Sequence, residues 1–313
     1  MVVTFIVPCY NEQDNVKLFH STFAEVFASC PIEWHLIMVD DGSADATYDL
    51  LSEIAQKDDH VTAIQFSRNF GKEAAIYAGL NASKTSDFVG IIDADLQQTP
   101  ETALAMLRIL LEDPQYDCVA AYQDQRNEGA LMNFFKRSFY QVFARASRSS
   151  SVVANASDFR VFRRSVADSL LSMPEYHRFS KGLFSWVGFN TYAFPYTPEE
   201  RNAGASKWSF TSLVNYAIEG ILSFSTRPLH LVTVLGLGSS FLAVLYAVIL
   251  IIKTLVVGKD VPGYASIVAL ILLFGGVQLL SLGTIGEYLG RLYEQEKRRP
   301  VYLIRDVINP MGE

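Results

Sequence analysis

The sequence predicts an α/β fold: a doubly wound, mostly parallel sheet, followed by a C-terminal interfacial helix and two transmembrane helices. Three observations predict it. Short β-branched runs alternate with helix-period segments from Val2 to Tyr122. Polar residues recur at the carboxyl ends of those runs, where open α/β sheets bind ligands. Two long, almost uncharged stretches, Leu229 to Ile252 and Tyr264 to Ile285, are each about the length of a bilayer-spanning helix.

The elements follow in order. Val2 to Val7 is a buried first strand ended by Pro8, and a loop carries Tyr10, Asn11 and Glu12. A helix from about Glu12 to Ser29 has Val16, Phe19, Phe23, Val26 and Phe27 at helical spacing. Trp34 to Val39 is the second strand and ends in Asp40-Asp41-Gly42-Ser43, with Ser43 expected to cap a helix reaching about Lys57. Val61 to Phe66 is the third strand. It ends in Ser67-Arg68-Asn69-Phe70-Gly71-Lys72, and a helix continues to Ser83. Phe88 to Ile92 is the fourth, running into Asp93-Ala94-Asp95-Leu96-Gln97. Pro100 and Glu101 then open a helix, and a strand near Asp117 to Tyr122 completes the pattern.

Asp93 and Asp95 lie two residues apart at a strand end. Carboxylates this close repel unless a cation or protons compensate. Their hard oxygens suit Mg²⁺ or Mn²⁺, held together with substrate phosphates, although Asp-x-Asp alone also describes a solvated turn. No Gly-x-Gly-x-x-Gly follows the first strand and no Gly-x-x-x-x-Gly-Lys-Ser/Thr occurs, which disfavours a nicotinamide dehydrogenase and a P-loop NTPase. The net charge of −7 argues against a nucleic-acid partner. Hydrophobic residues make up 50% of the 313, more than an ordinary soluble enzyme needs. Cys9, Cys30 and Cys118 lack metal-ligand spacing and read as reduced thiols on a cytosolic face. No basic stretch precedes the first strand, so no signal peptide is expected.

Together, Val7-Pro8-Cys9-Tyr10-Asn11-Glu12, Val39-Asp40-Asp41-Gly42-Ser43-Ala44-Asp45, Ser67 to Lys72 and Asp93 to Gln97 resemble family 2 glycosyltransferases of the GT-A fold. More narrowly, the chain is similar to the polyprenyl-phosphate glycosyltransferases, which include bactoprenol glucosyltransferases and dolichol-phosphate mannose synthases. The resemblance implies that Pro8, Tyr10, Glu12, Asp40 and Asp41 hold the nucleotide, joined by Arg68, Lys72, Asp93 and Ala94. It implies that Asp93, Asp95 and Gln97 hold Mg²⁺ or Mn²⁺, that Asp95 serves catalysis there, and that Asp158 in Asp158-Phe159-Arg160 lies near the reacting centre. The block Arg178 to Phe189 also matches, with Lys181 where the family commonly has arginine, which puts a point charge in place of a bidentate fork.

Basic residues follow Tyr122: Arg126, Lys136, Arg137, Arg145 and Arg148. The helix from about Ala130 to Ala146 is rich in Phe and Tyr, which fits either core packing or a lipid surface. Glu200 to Ser209 resembles the family's Arg-x-x-Gly-x-Ser/Thr-Lys-Tyr/Trp loop. Arg126, Lys136, Arg137, Arg201 and Lys207 are the expected phosphate and acceptor contacts. The expected organisation is a cytoplasmic catalytic domain over 1–208, an interfacial helix over 209–228, a two-helix membrane hairpin over 229–290 and a basic cytoplasmic tail over 291–313. Arg291, Lys297, Arg298, Arg299 and Arg305 outweigh Lys253 and Lys259 in the hairpin loop, so the tail and the catalytic domain are expected on the cytoplasmic side of the plasma (inner) membrane. Gln278, Ser281 and Thr284 in the second span are compatible with a homo-oligomer.

The implied function is inverting transfer of a sugar, glucose from UDP-glucose being the first choice, from a nucleotide sugar donor to polyprenyl (undecaprenyl) phosphate. Transfer of formylated aminoarabinose or of mannose are the alternatives within the family. From another class, a membrane scaffold or channel with a degenerate sugar-nucleotide domain is opposed by the intact Asp40-Asp41, Asp93 and Asp95.

Overall fold

Residues 1–123, 156–197, 227–257 and 263–309 are described in the computed structural model. The chain divides into two units, Met1–Gly220 with Arg299–Glu313, and Ile221–Arg298.

The first unit is built on β1 (Val2–Cys9), β2 (Glu33–Asp40), β3 (Val61–Phe66) and β4 (Phe88–Ile91). Their parallel ladders run β4-β1-β2-β3. Both faces are covered, so the strands read as continuous apolar runs. Phe5, Val7, Leu36 and Met38 face α1 (Val16–Phe27), α2 (Thr47–Ala55) and α4 (Pro100–Glu112). Ile37, Val39, Ile64 and Phe66 face α3 (Lys72–Ala82). On the first face Phe5 meets Phe23 and Phe27 edge-on, with ring centroids 5.3 and 5.1 Å away. The four-residue spacing of Phe23 and Phe27 stacks their rings at 4.1 Å.

Among the described residues the sheet is mixed, with four parallel ladders and three antiparallel ones. Its order is β7-β5-β6-β4-β1-β2-β3-β8. β6 (Ala156–Arg163) lies antiparallel between β4 and β5 (Cys118–Gln123), and β7 (Thr191–Tyr196) runs parallel to β5. β6 hides from a pattern search because Arg160 is buried among Phe159, Val161 and Phe162, which erases the alternation. Two short helices follow β6: α5 (Arg164–Leu171) and α6 (Ser180–Trp186). Beyond residue 299 the chain does not stay a plain basic tail. Ile304–Ile308 is β8, antiparallel to β3, and Tyr302 stacks on Phe66 at 5.1 Å.

Helix starts follow local chemistry. Thr99 caps α4, accepting the Thr102 N–H at 3.3 Å, with Pro100 in the first turn. Ser43 is not the cap expected for α2. Its hydroxyl accepts the Asn11 N–H at 2.9 Å, and Asp45 instead accepts the Thr47 N–H at 3.0 Å. α2 accordingly starts at Thr47.

The second unit holds α7 (Arg227–Val257) and α8 (Tyr264–Glu296). Among the described residues one stretch, Leu229–Ile249 in α7, is long and apolar enough to cross a membrane, with mean hydropathy 2.1 and none of its apolar window buried. Residues 264–285, expected as a second span, form part of α8. That helix has 33 residues, about 50 Å of length, and runs on through Glu287, Arg291 and Glu294. Of residues 209–228, expected as an interfacial helix, 209–226 lie outside the described residues, and Arg227 and Pro228 open α7.

Candidate active site

Parallel strands deliver the loops after β1, β2, β3 and β4 to one edge of the sheet. The first two loops are laced together. The Ala44 N–H bonds Asn11 Oδ1 at 3.0 Å, and the Glu12 N–H bonds Thr47 Oγ1 at 2.9 Å. Glu12 Oε2 accepts Asn15 Nδ2 at 2.7 Å, and Tyr10 stays exposed. Pro8 lies within β1, which runs one residue further; the Cys9 carbonyl accepts the Asp41 N–H at 2.9 Å.

Asp40 and Asp41 are buried. Burial raises the Asp40 pKa against the opposing Ser43 hydrogen bonds. Asp41 is pushed up to about 6 by burial, with the Phe70 and Gly71 amides and Arg68 pulling it down and Asp40 adding to the rise. Asp41 accepts the Phe70 N–H at 2.6 Å, so it fixes the loop that follows β3. In that loop the Arg68 guanidinium lies 4.1 Å from the Phe70 ring centre.

After β4 the turn is tightly held. Gln98 accepts the Asp93 N–H at 3.0 Å and donates Nε2 to Asp93 Oδ2 at 3.2 Å. Gln97, expected beside the metal, donates its backbone N–H to Asp95 Oδ1 at 3.2 Å. Ala94 is buried, and Leu96 takes a left-handed backbone with φ +58°, a strained place for a branched side chain.

β6 brings in the last acid. Ile91 pairs with Arg160 in antiparallel register, so position 158 falls across from position 93. The Lys72 ammonium bridges the two, 2.5 Å from Asp93 Oδ1 and 3.7 Å from Asp158 Oδ2. Asp158 Oδ1 is buried with no hydrogen-bond partner among the described residues. Burial would raise the Asp158 pKa, yet Lys181, Lys72 and Arg160 hold it below the usual value. Partial loss of water works against the charge on Lys72, which stays 41% exposed, and Asp93 and Asp158 outweigh it, so the Lys72 pKa is raised.

Glu73, which the sequence does not single out, pins α6. It accepts the Ser180 N–H at 3.1 and 3.0 Å, and the Ser180 hydroxyl. Burial and the Asp158 charge push Glu73 up to about 7 against the pull of Ser180 and Arg178. Gln98 is the other residue missed; its neighbour Gln97 drew the attention because it follows Asp-x-Asp directly. Arg126, Lys136, Arg137, Arg201 and Lys207 lie outside the described residues.

The donor set suits a divalent cation. Asp93 and Asp95 offer hard carboxylate oxygens, and Asp93 already draws a cation, the Lys72 ammonium. Among the described residues no group of three or more His, Cys, Asp or Glu side chains is arranged to hold a metal.

The family model for glycosyl transferase family 2 matches residues 4–171. The chain belongs to that family. The glycosyltransferase is 40% identical over 306 residues to an uncharacterised glycosyltransferase of Synechocystis, covering 97% of this chain and 95% of that protein. It is 38% identical over 308 residues to the bactoprenol glucosyl transferase of Shigella phage SfX, covering 97% and 99% of the two chains. Its fold is similar to that of glucosyl-3-phosphoglycerate synthase from Mycobacterium tuberculosis, solved with Mn²⁺, UDP-glucose and glycerol 3-phosphate. That match has a TM-score of 0.50 at 16% identity and covers 71% of this chain and 78% of that one.

Proposed function

We propose that this glycosyltransferase moves glucose from UDP-glucose to polyprenyl phosphate at a membrane surface. The observation that carries the reading is the convergence of Asp40, Asp41, Asp93, Asp95 and Asp158 on one sheet edge, in a chain similar over nearly its whole length to a bactoprenol glucosyl transferase. Asp40 and Asp41 shape the nucleotide site with Tyr10, Glu12 and Arg68. Asp93 and Asp95 would hold Mg²⁺ or Mn²⁺ together with substrate phosphates. The bound cation would offset charge on the leaving nucleoside diphosphate.

Asp158 stays ionised beside Lys72 and Lys181, so it is a weak proton acceptor at neutral pH. No strong base is needed, because an acceptor phosphate with a second pKa near ~6 is already mostly ionised. Asp158 therefore orients groups in the crevice. Arg201 and Lys207, with Arg126, Lys136 and Arg137, supply the phosphate clamp in this reading.

Leu229–Ile249 supports membrane attachment. The finer topology belongs to the proposal: an interfacial helix over 209–228, a two-span hairpin over 229–290, and a catalytic domain on the cytoplasmic face. A homo-oligomer assembled through the second span is part of it too. Mannose and formylated aminoarabinose are the sugars a test must set against glucose.

The deciding experiment incubates membranes containing the protein with undecaprenyl phosphate and radiolabelled UDP-glucose, GDP-mannose and UDP-formylated aminoarabinose. Label is expected in lipid from UDP-glucose. Entry only from another donor overturns the sugar, and no entry from any donor overturns the transferase reading. Asp95→Asn is expected to cut transfer at least about a hundredfold, roughly 2.7 kcal/mol, and full activity in excess EDTA would remove the metal.

A further inference from the structure

We infer that Lys72 is a built-in counter-cation, whose ammonium holds Asp93 and Asp158 together in the metal-free protein and leaves Asp93 when a divalent cation binds there. The inference rests on the metal reading above. Three observations lead to it.

The first is occupancy. Asp93 Oδ2 is engaged by the Gln98 amide at 3.2 Å, so Oδ1 is the oxygen turned to a cation, and Lys72 Nζ sits on it at 2.5 Å. An ammonium at that distance and a metal ion compete for that oxygen, and their like charges repel each other there.

The second is placement. Lys72 is the first residue of α3, where a positive charge opposes the helix dipole. Glu73, next to it, is the acidic residue of that first turn and is committed to Ser180. Asp93, in the turn after β4, and Asp158, on β6, offset the cost of putting Lys72 there, so its position answers to them rather than to the helix.

The third is freedom to move. The Lys72 side chain is 41% exposed and hangs on a flexible four-carbon stem. Asp158 Oδ2, at 3.7 Å, remains a second anchor once Asp93 is taken. The released ammonium also stays near the site that a donor diphosphate would fill. Both states keep Asp93 and Asp158 compensated, where two uncompensated carboxylates would repel each other.

The test uses the full-length protein in detergent, with Mn²⁺ as probe. Free Mn²⁺ is read by electron paramagnetic resonance, and thermal unfolding is followed in EDTA and in Mn²⁺. Lys72→Met, with Lys72→Gln as a second variant, is expected to bind Mn²⁺ at least about tenfold more tightly than wild type without nucleotide. The variant is also expected to melt below wild type in EDTA and to regain the difference in Mn²⁺, since the metal replaces the lost ammonium. A purely structural lysine would leave that loss unrecovered. Equal Mn²⁺ affinity in wild type and variants, or a melting loss that Mn²⁺ does not restore, overturns the inference while leaving the metal reading intact. No Mn²⁺ binding by any of the proteins, with or without UDP, overturns both.

Discussion

Asp41 holds the Gly71 amide with both carboxylate oxygens, at 3.1 and 2.9 Å. The grip sets where α3 begins and so where Lys72 stands. Gly71 has φ +96° and open space around an added Cβ, whereas Gly42 has φ +66° and would put a Cβ 2.4 Å from the Arg68 backbone. Gly71→Ala is therefore expected to cost about 1–3 kcal/mol from backbone strain alone, because its ψ of 158° puts it in a region that essentially only glycine adopts. Gly42→Ala should cost about 1–3 kcal/mol more, because a backbone must move. Denaturant unfolding of both variants checks the order; a milder effect at Gly42 would contradict it.

Asp158 is ionised across the neutral range, so its removal should not behave like the loss of a titrating base. Asp158→Asn is expected to lower transfer at least about a hundredfold while nucleotide affinity changes little. Raising the pH from 6 to about 9 should not restore it, because the acceptor phosphate is ionised throughout most of that window. Recovery of the variant at high pH would reinstate a general base.

Glu73 and Asp41 have pKa values raised to about 7 and about 6. For each, the native state binds more protons than the unfolded state between the ordinary carboxyl range and the raised value. Their contribution to stability is thus fully present below about pH 4 and is lost as pH rises through 6 to 7. Glu73→Gln should flatten the fall between about pH 5 and 7, read as melting temperature against pH. An unchanged slope would mean that Glu73 titrates in its ordinary range.

Tyr302 stacks on Phe66 at 5.1 Å, and the Leu303 carbonyl accepts the Ser67 N–H at 2.9 Å. The segment before β8 thus braces the start of the loop that carries Arg68. Tyr302→Ala is expected to cost about 1–3 kcal/mol, as a half-buried aromatic contact does. Amide exchange of residues 67–71 should quicken in the variant, and unchanged protection there would separate the tail from the loop.

The local pattern of the sequence determined β1 to β4 and α1 to α4, because their apolar periodicity is sampled within each segment and Thr99-Pro100-Glu101 marks a helix start by itself. It also determined which acids gather at one edge, since parallel strands joined by helices must present their carboxyl ends together. The place of β6 was settled only in the tertiary structure. An antiparallel strand inserted beside β4 sets position 158 across from position 93, and nothing in Ser157-Asp158-Phe159-Arg160 states which neighbour or direction it takes. The Lys72 bridge, the Glu73 grip on Ser180 and the return of β8 to β3 are of the same kind. Each joins residues far apart in the chain, and such contacts are chosen by packing and charge compensation in the assembled fold rather than by local spacing.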